Sequence, residues 1–238
     1  MNNFLFIGLP YAAILIMLVG TIYMYTNHSF QFSALSSQFL EGKSLHLGSR
    51  PFHWGIIALF FGHLIGFLFP AALIAWNGVP IRLIIIEVSA LAFALTFFYG
   101  LIILIYRRLT NERVKIVTSK MDVYVYLVLI VQAITGIWIA YFFRWGSNWY
   151  ATSIVPYLRS IFILNPDIAT ITTLPLMVKI HIVTAFVFIG MIPFTRYVHF
   201  LVYPIKFLYR PVQVVIWNWD RRIIRSSKGT KTVKPKNN

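Results

Sequence analysis

Residues 52–75 read Phe-His-Trp-Gly-Ile-Ile-Ala-Leu-Phe-Phe-Gly-His-Leu-Ile-Gly-Phe-Leu-Phe-Pro-Ala-Ala-Leu-Ile-Ala, with no ionisable side chain except two histidines. An α-helix rises ~1.5 Å per residue and satisfies its own backbone polar groups, so ~20 mostly apolar residues cross ~30 Å of hydrocarbon. This stretch is long enough to cross, and it sets two imidazoles at a depth where an ionisable group is costly. Four similar runs, residues 4–25, 83–106, 123–143 and 180–200, are interrupted only by Glu87 and, near one end, Arg196. The expected fold is all-α, an integral membrane bundle of five transmembrane helices. Pro193 lies inside the fifth run, so a kink is expected near its end.

Composition agrees. Of 238 residues, 59% are hydrophobic and 11% charged, with a mean hydropathy of +0.76, which excludes a soluble globular domain. The chain has no cysteine, so disulfides, thiolate-bound zinc, iron–sulfur clusters, thioether-attached haem and thiol catalysis are all excluded. Lys and Arg number 21 against six acidic residues, a formal charge of +15 that in a soluble chain would point to nucleic acid. Here the cations follow the membrane. Seventeen flank the 1–2 and 3–4 connections or the C-terminal end, and four, Arg82, Arg144, Arg159 and Lys179, lie on the opposite side. Because cytoplasmic loops are enriched in Lys and Arg, the N-terminus is expected outside and the C-terminus in the cytoplasm, with lipid and not nucleic acid as the partner of the basic surface. Met1-Asn2-Asn3 lacks a basic side chain, so the first run reads as a retained span, not a cleaved signal. Residues 1–208 form the expected membrane domain and 209–238 a basic cytoplasmic tail, whose Trp217, Trp219, Arg221 and Arg222 read as an interface anchor or docking surface.

Four of the six histidines fall in two runs: His53 and His63 in the second, His181 and His199 in the fifth. The two runs are antiparallel, so His53 pairs with His199 near the inner face and His63 with His181 near the outer one. Each pair offers one imidazole from each helix to a group lying between them. Zinc wants three or four ligands, and no third His, Asp or Glu is available at either level. Two stacked b-type haems, each held through two axial nitrogens, fit this donor set. Gly55, Gly62 and Gly66 offer clearance for a flat macrocycle or close helix packing. Arg50 and Arg196 near the inner pair are candidate partners for haem propionates, and Arg82, Arg144 and Lys179 for the outer ones. One mismatch stands out: ten residues between histidines span ~15 Å, but eighteen span ~27 Å, so straight helices cannot bring both pairs level.

Ser36-Ser37-Gln38 through Gly48, Phe52-His53-Trp54-Gly55-Ile56, Phe61-Gly62-His63, Lys179-Ile180-His181 and Pro193-Phe194-Thr195-Arg196-Tyr197-Val198-His199 together resemble the gamma subunit of membrane-bound respiratory nitrate reductase, over about residues 4 to 208. The resemblance implies His53 and His199 as ligands of an inner, proximal haem b and His63 and His181 of an outer, distal one. It also implies oxidation of a quinol (menaquinol or ubiquinol) from the quinone pool of the cell membrane. Electrons would pass inward to an iron–sulfur beta subunit and a molybdenum-cofactor alpha subunit that reduces nitrate to nitrite. Two histidines leave iron no open position, so this chain is expected to carry no nitrate site of its own. The family's quinol pocket includes a lysine early in the third span, where an ungapped reading puts Ile84. Arg82 is the nearest cation, and Glu87, the one carboxylate inside a span, is placed to take a quinol proton or to pair with Arg82. Other readings are a related subunit feeding a sulfite- or heterodisulfide-linked module, and a haem-free transporter or scaffold. The connection 144–179 is expected to carry a short helix with Ile154, Tyr157 or Leu158 and Ile161 on its apolar side, either as a roof over the quinol site or as a simple interfacial loop.

Overall fold

The computed structural model describes residues 2–27 and 43–202, and they are helical almost throughout. A π-helical turn, Phe4–Gly8, leads into α1 (Leu9–Asn27); α2 (Lys43–Leu68), α3 (Pro70–Asn77), α4 (Pro80–Thr110), α5 (Glu112–Ile116) and α6 (Lys120–Phe142) follow. Beyond α7 (Gly146–Trp149) and a second π-turn, Tyr150–Ile154, come α8 (Val155–Phe162), α9 (Ala169–Thr173), α10 (Leu176–Met191) and α11 (His199–Val202). Five helical stretches are long and apolar enough to cross a membrane: Phe4–Asn27, Ser44–Leu68, Pro80–Thr110, Lys120–Phe142 and Leu176–Phe194. Residues up to Val202 form one compact unit, and the expected tail 209–238 with its tryptophans lies outside the described residues.

Two boundaries differ from expectation. The second span stops at Leu68, not at residue 75: Phe69 leaves helical dihedrals (φ −126°, ψ 55°) and Pro70, which has no N–H to donate backward, starts α3 as a separate helix. The α-helix of the fifth span, α10, stops at Met191. Ile192–Phe194 and Arg196–Val198 are 3-10 turns on either side of an extended Thr195 (φ −125°, ψ 169°), so Pro193 breaks the helix where a kink was expected. The expected helix in the 144–179 connection is α8, with Ile154, Tyr157 and Ile161 buried and Leu158 partly so.

Small residues set the closest helix contact. A Cβ on Gly55 would lie 2.5 Å from the backbone nitrogen of Phe97, and one on Gly100 would lie 2.4 Å from that of Phe52 and 2.6 Å from the Gly48 carbonyl, so α2 and α4 touch backbone to backbone. The core on this side joins Phe52, Phe97, Leu101, Val125, Leu129 and Ala133 across α2, α4 and α6. A second core joins Phe6 and Ala13 to Tyr157, Ile161, Ile171 and Phe186. The Tyr157 hydroxyl donates to the Phe6 carbonyl at 2.8 Å and that of Tyr11 to the Ile161 carbonyl at 3.0 Å, tying α8 to the first span. Tyr157→Phe removes the first of these bonds and should cost about 1 kcal/mol, read as a lowered thermal unfolding midpoint in detergent. Leu15, Val19, Ile22, Ile85, Val88 and Leu127 lie on the outer surface, which in water would invite aggregation and in hydrocarbon is the solvated face.

Candidate functional site

Three of the four histidines share one local device. His53 Nδ1 lies 2.7 Å from the Ser49 carbonyl, His63 Nδ1 2.7 Å from the Leu59 carbonyl, and His199 Nδ1 2.7 Å from the Arg196 carbonyl. A carbonyl only accepts, so each Nδ1 carries the proton and each Nε2 keeps its lone pair. In His181 the device is a side chain: Nδ1 meets Thr135 Oγ1 at 3.0 Å, and that hydroxyl spends its own hydrogen on the Val131 carbonyl at 2.7 Å. The remaining His181 nitrogen, Nε2, faces the Gln132 amide nitrogen at 3.0 Å, which can only donate. All four rings therefore hold the same tautomer, with the nitrogen suited to a metal left as the acceptor.

Of the two expected pairs, His53 and His199 come into ring contact. The ring centroids of His53 and His199 are 6.0 Å apart at an interplanar angle of 62°. These two imidazoles are the side chains that would hold a metal-bearing group between them. The ring of His63 packs on Tyr150, and that of His181 is held by Gln132 and Thr135. Helix α2 packs chiefly on α4, and α10 on α6 and α1, so the two histidine-bearing helices are held by their neighbours and not by extensive mutual contact. The α-helix ends at Met191, so His199 stands beyond it and the eighteen residues from His181 to His199 are not one straight helix. Among the described residues no three His, Cys, Asp or Glu side chains gather as a metal-holding group, and the imidazoles of His53 and His199 are donors of the kind that haem b takes.

The other expected site residues separate by surroundings. Gly62 would meet nothing within 4 Å if given a Cβ, leaving the surface beside His63 open. Gly55 lies in the α2–α4 contact, and Gly66 accommodates the Tyr150 ring, 2.9 Å from where its Cβ would be. Arg50 borders an open cleft with Ser49, His53, Trp54 and Ile57. Arg196 binds Asp122, with Nε 3.0 Å from Oδ1. The Arg82 guanidinium sits 4.9 Å over the Trp76 ring and does not pair with Glu87. The Glu87 carboxylate instead accepts from the Gly146 and Ser147 amides at 3.1 and 2.8 Å and from the Ser147 hydroxyl at 2.6 Å. Lys179 donates to the Thr172 carbonyl at 2.6 Å.

Residues not assigned to the site from the sequence complete the end of the bundle at His63. Tyr150 packs edge-on to His63, centroids 5.4 Å apart, and donates to the His63 carbonyl at 3.0 Å. Burial pushes its phenol up to about 12, so it stays a donor at any ordinary pH. Arg159 donates to the Phe67 and Leu68 carbonyls at 2.9 and 3.1 Å, satisfying the C-terminal end of α2. The connection 146–162 thus lies against the outer end of α2. The clues for Gln132 and Thr135 were their polarity within an apolar run; Tyr150 gave none.

Comparison with known proteins agrees with these features. The family described as "Nitrate reductase gamma subunit" matches residues 2–218. The chain is 34% identical over 206 residues to the nitrate reductase gamma chain of Bacillus subtilis, covering 85% of this chain and 92% of that one. It is 27% identical over 220 residues to the respiratory nitrate reductase 2 gamma chain of Escherichia coli, covering 90% and 96%. The nitrate reductase-like protein NarX of Mycobacterium tuberculosis is 30% identical over 213 residues, 85% of this chain but 32% of that longer one. With five apolar helices and a family match running through all of them, the chain belongs to the nitrate reductase gamma subunit family.

Proposed function

We propose that this chain is the di-haem cytochrome b subunit of a quinol:nitrate oxidoreductase in the cell membrane, with its N-terminus outside. Its cytoplasmic partners are an iron–sulfur subunit and a molybdenum-cofactor subunit that carries the nitrate site. The observation that carries the reading is the set of four imidazoles in two antiparallel segments, every one with Nδ1 anchored, with His53 and His199 in ring contact and with the Nε2 of His181 accepting from the Gln132 amide. His53 and His199 would hold the inner haem and His63 and His181 the outer one. Bound there, haem b supplies reversible one-electron transfer, so that a two-electron quinol can feed one-electron acceptors. The cation distribution, heaviest on the side of the 1–2 and 3–4 connections and the C-terminal end, supports delivery toward the cytoplasm.

The protein's part is to bind, orient and take protons. Glu87 holds the first turn of α7 through three hydrogen bonds, and the π-turn that follows sets Tyr150 against His63. This frames an outer pocket in which Arg82 supplies a cation and Glu87 a proton acceptor for quinol. Glu87→Gln keeps one acceptor oxygen but loses basicity, and should lower quinol-dependent nitrate reduction by ~10-fold or more while both haem signals persist. Arg82→Ala should raise the quinol KM. Unchanged kinetics in both variants would remove the two residues from the pocket. The wider reading is tested on the purified complex: adding quinol should produce reduced b-type absorption, and an intact complex without it would favour a transporter or scaffold.

A further inference from the structure

We propose that Asp122 is a positioning residue for His199, acting through the Arg196 side chain and backbone. The inference rests on His199 being a haem ligand. Asp122 lies in the first turn of α6, where the Ser119 hydroxyl accepts from its amide at 3.1 Å and its carboxylate accepts from the Ser119 amide at 2.9 Å. The carboxylate is 8% exposed, and burying a charge at the end of a span is costly unless it is paired. It is paired twice. Arg196 Nε lies 3.0 and 3.3 Å from its two oxygens, and Arg108 Nη1 is 3.5 Å away on the other side. Arg196 Nη2 also donates to the Val117 carbonyl at 2.8 Å, so its guanidinium is fastened to the α5–α6 connection at more than one point.

The other end of the same residue meets the ligand, for the Arg196 carbonyl accepts the His199 Nδ1 proton at 2.7 Å. In His53 and His63 the equivalent carbonyl is four residues back within a continuous helix, which fixes it without further help. Arg196 stands outside any such continuous helix, the backbone N–H of His199 being the 3-10 partner of its carbonyl. It follows the extended Thr195 and begins a three-residue 3-10 turn, so the regular hydrogen-bond ladder of α10 does not reach it. The ion pair with Asp122 supplies the missing rigidity, and it explains why a buried acid stands in a chain with six acidic residues in all. It also gives Arg196 a task other than the propionate contact expected from its position.

The test uses the intact, purified complex and reads the inner haem, identified as the signal missing in His53→Ala. In Asp122→Asn the inner low-spin resonance should shift and broaden. Its midpoint potential should rise, because loss of one negative charge leaves Arg108 and Arg196 uncompensated, with the outer haem unchanged. Arg196→Lys keeps the charge but not the planar fork, and should perturb the same resonance to a lesser degree; it decides the matter if Asp122→Asn does not assemble. Two wild-type signals that both survive Asp122→Asn and Arg196→Lys unaltered would overturn the proposal, as would equal changes in both haems. A wild-type complex with no b-type haem would instead sink the haem reading, and the positioning role with it.

Discussion

Replacing His63 with Ala should remove one b-type haem from the complex, and replacing His181 should remove the same one. Each variant is expected to keep about half of the b-type absorbance, because iron gripped from two sides is released when either imidazole is lost. Quinol-dependent turnover should fall more than ~100-fold in both, beyond the 10–100-fold typical of losing a residue that merely supports a ligand. Nitrate reduction from an artificial donor that feeds the cytoplasmic subunits directly should persist. The matched variants His53→Ala and His199→Ala should remove the other haem, and their ring separation of 6.0 Å makes this the more tightly constrained pair. Redox difference spectra with low-temperature resonance distinguish the two signals. Loss of different haems within one pair would mean that the imidazoles are matched wrongly.

The second large effect concerns the backbone. A Cβ at Gly100 would stand 2.4 Å from the Phe52 nitrogen and 2.6 Å from the Gly48 carbonyl. Neither atom belongs to a side chain that can turn away, so α2 and α4 must separate. Overpacking of a core costs ~1–3 kcal/mol when side chains can rearrange, and here the helices themselves would have to move. Gly100→Val should therefore abolish assembly or strip both haems, because Phe52, directly in the contact, adjoins His53. Gly190→Ala is the matched control: its nearest neighbour, Ala13 Cα, would be 3.5 Å away, an ordinary contact, and the variant should accumulate normally. Equal yields from the two would show that the α2–α4 approach is looser than its geometry implies.

Much of this architecture was legible in the sequence because lipid imposes a simple rule of length and polarity, and five uncharged runs satisfy it. The four histidines of the second and fifth runs were legible because ionisable groups at depth are rare enough to be counted. What escaped was decided by local backbone geometry. The second run reads through to residue 75, and nothing around Pro70 announces that Phe69 ends α2 and that α3 follows as its own helix. Pro193 suggested a kink, whereas the backbone leaves the helix altogether, so the eighteen residues between His181 and His199 are not a continuous helix. Glycine carries no label for what it faces: Gly55, Gly62 and Gly66 look alike in sequence, yet one meets backbone, one open space and one an aromatic ring. Glu87 was weighed as a partner for Arg82, five residues away on the same helix. Each turns to a different neighbour, the carboxylate to the amides of α7 and the guanidinium to Trp76.

The most direct measurement is the haem content and ligation of the purified native complex. Two b-type haems per copy of this chain, both low-spin with bis-imidazole resonances and one lost with each histidine pair, is the predicted result. Intact polypeptide carrying no haem, or haem whose resonances survive removal of all four imidazoles, would contradict it.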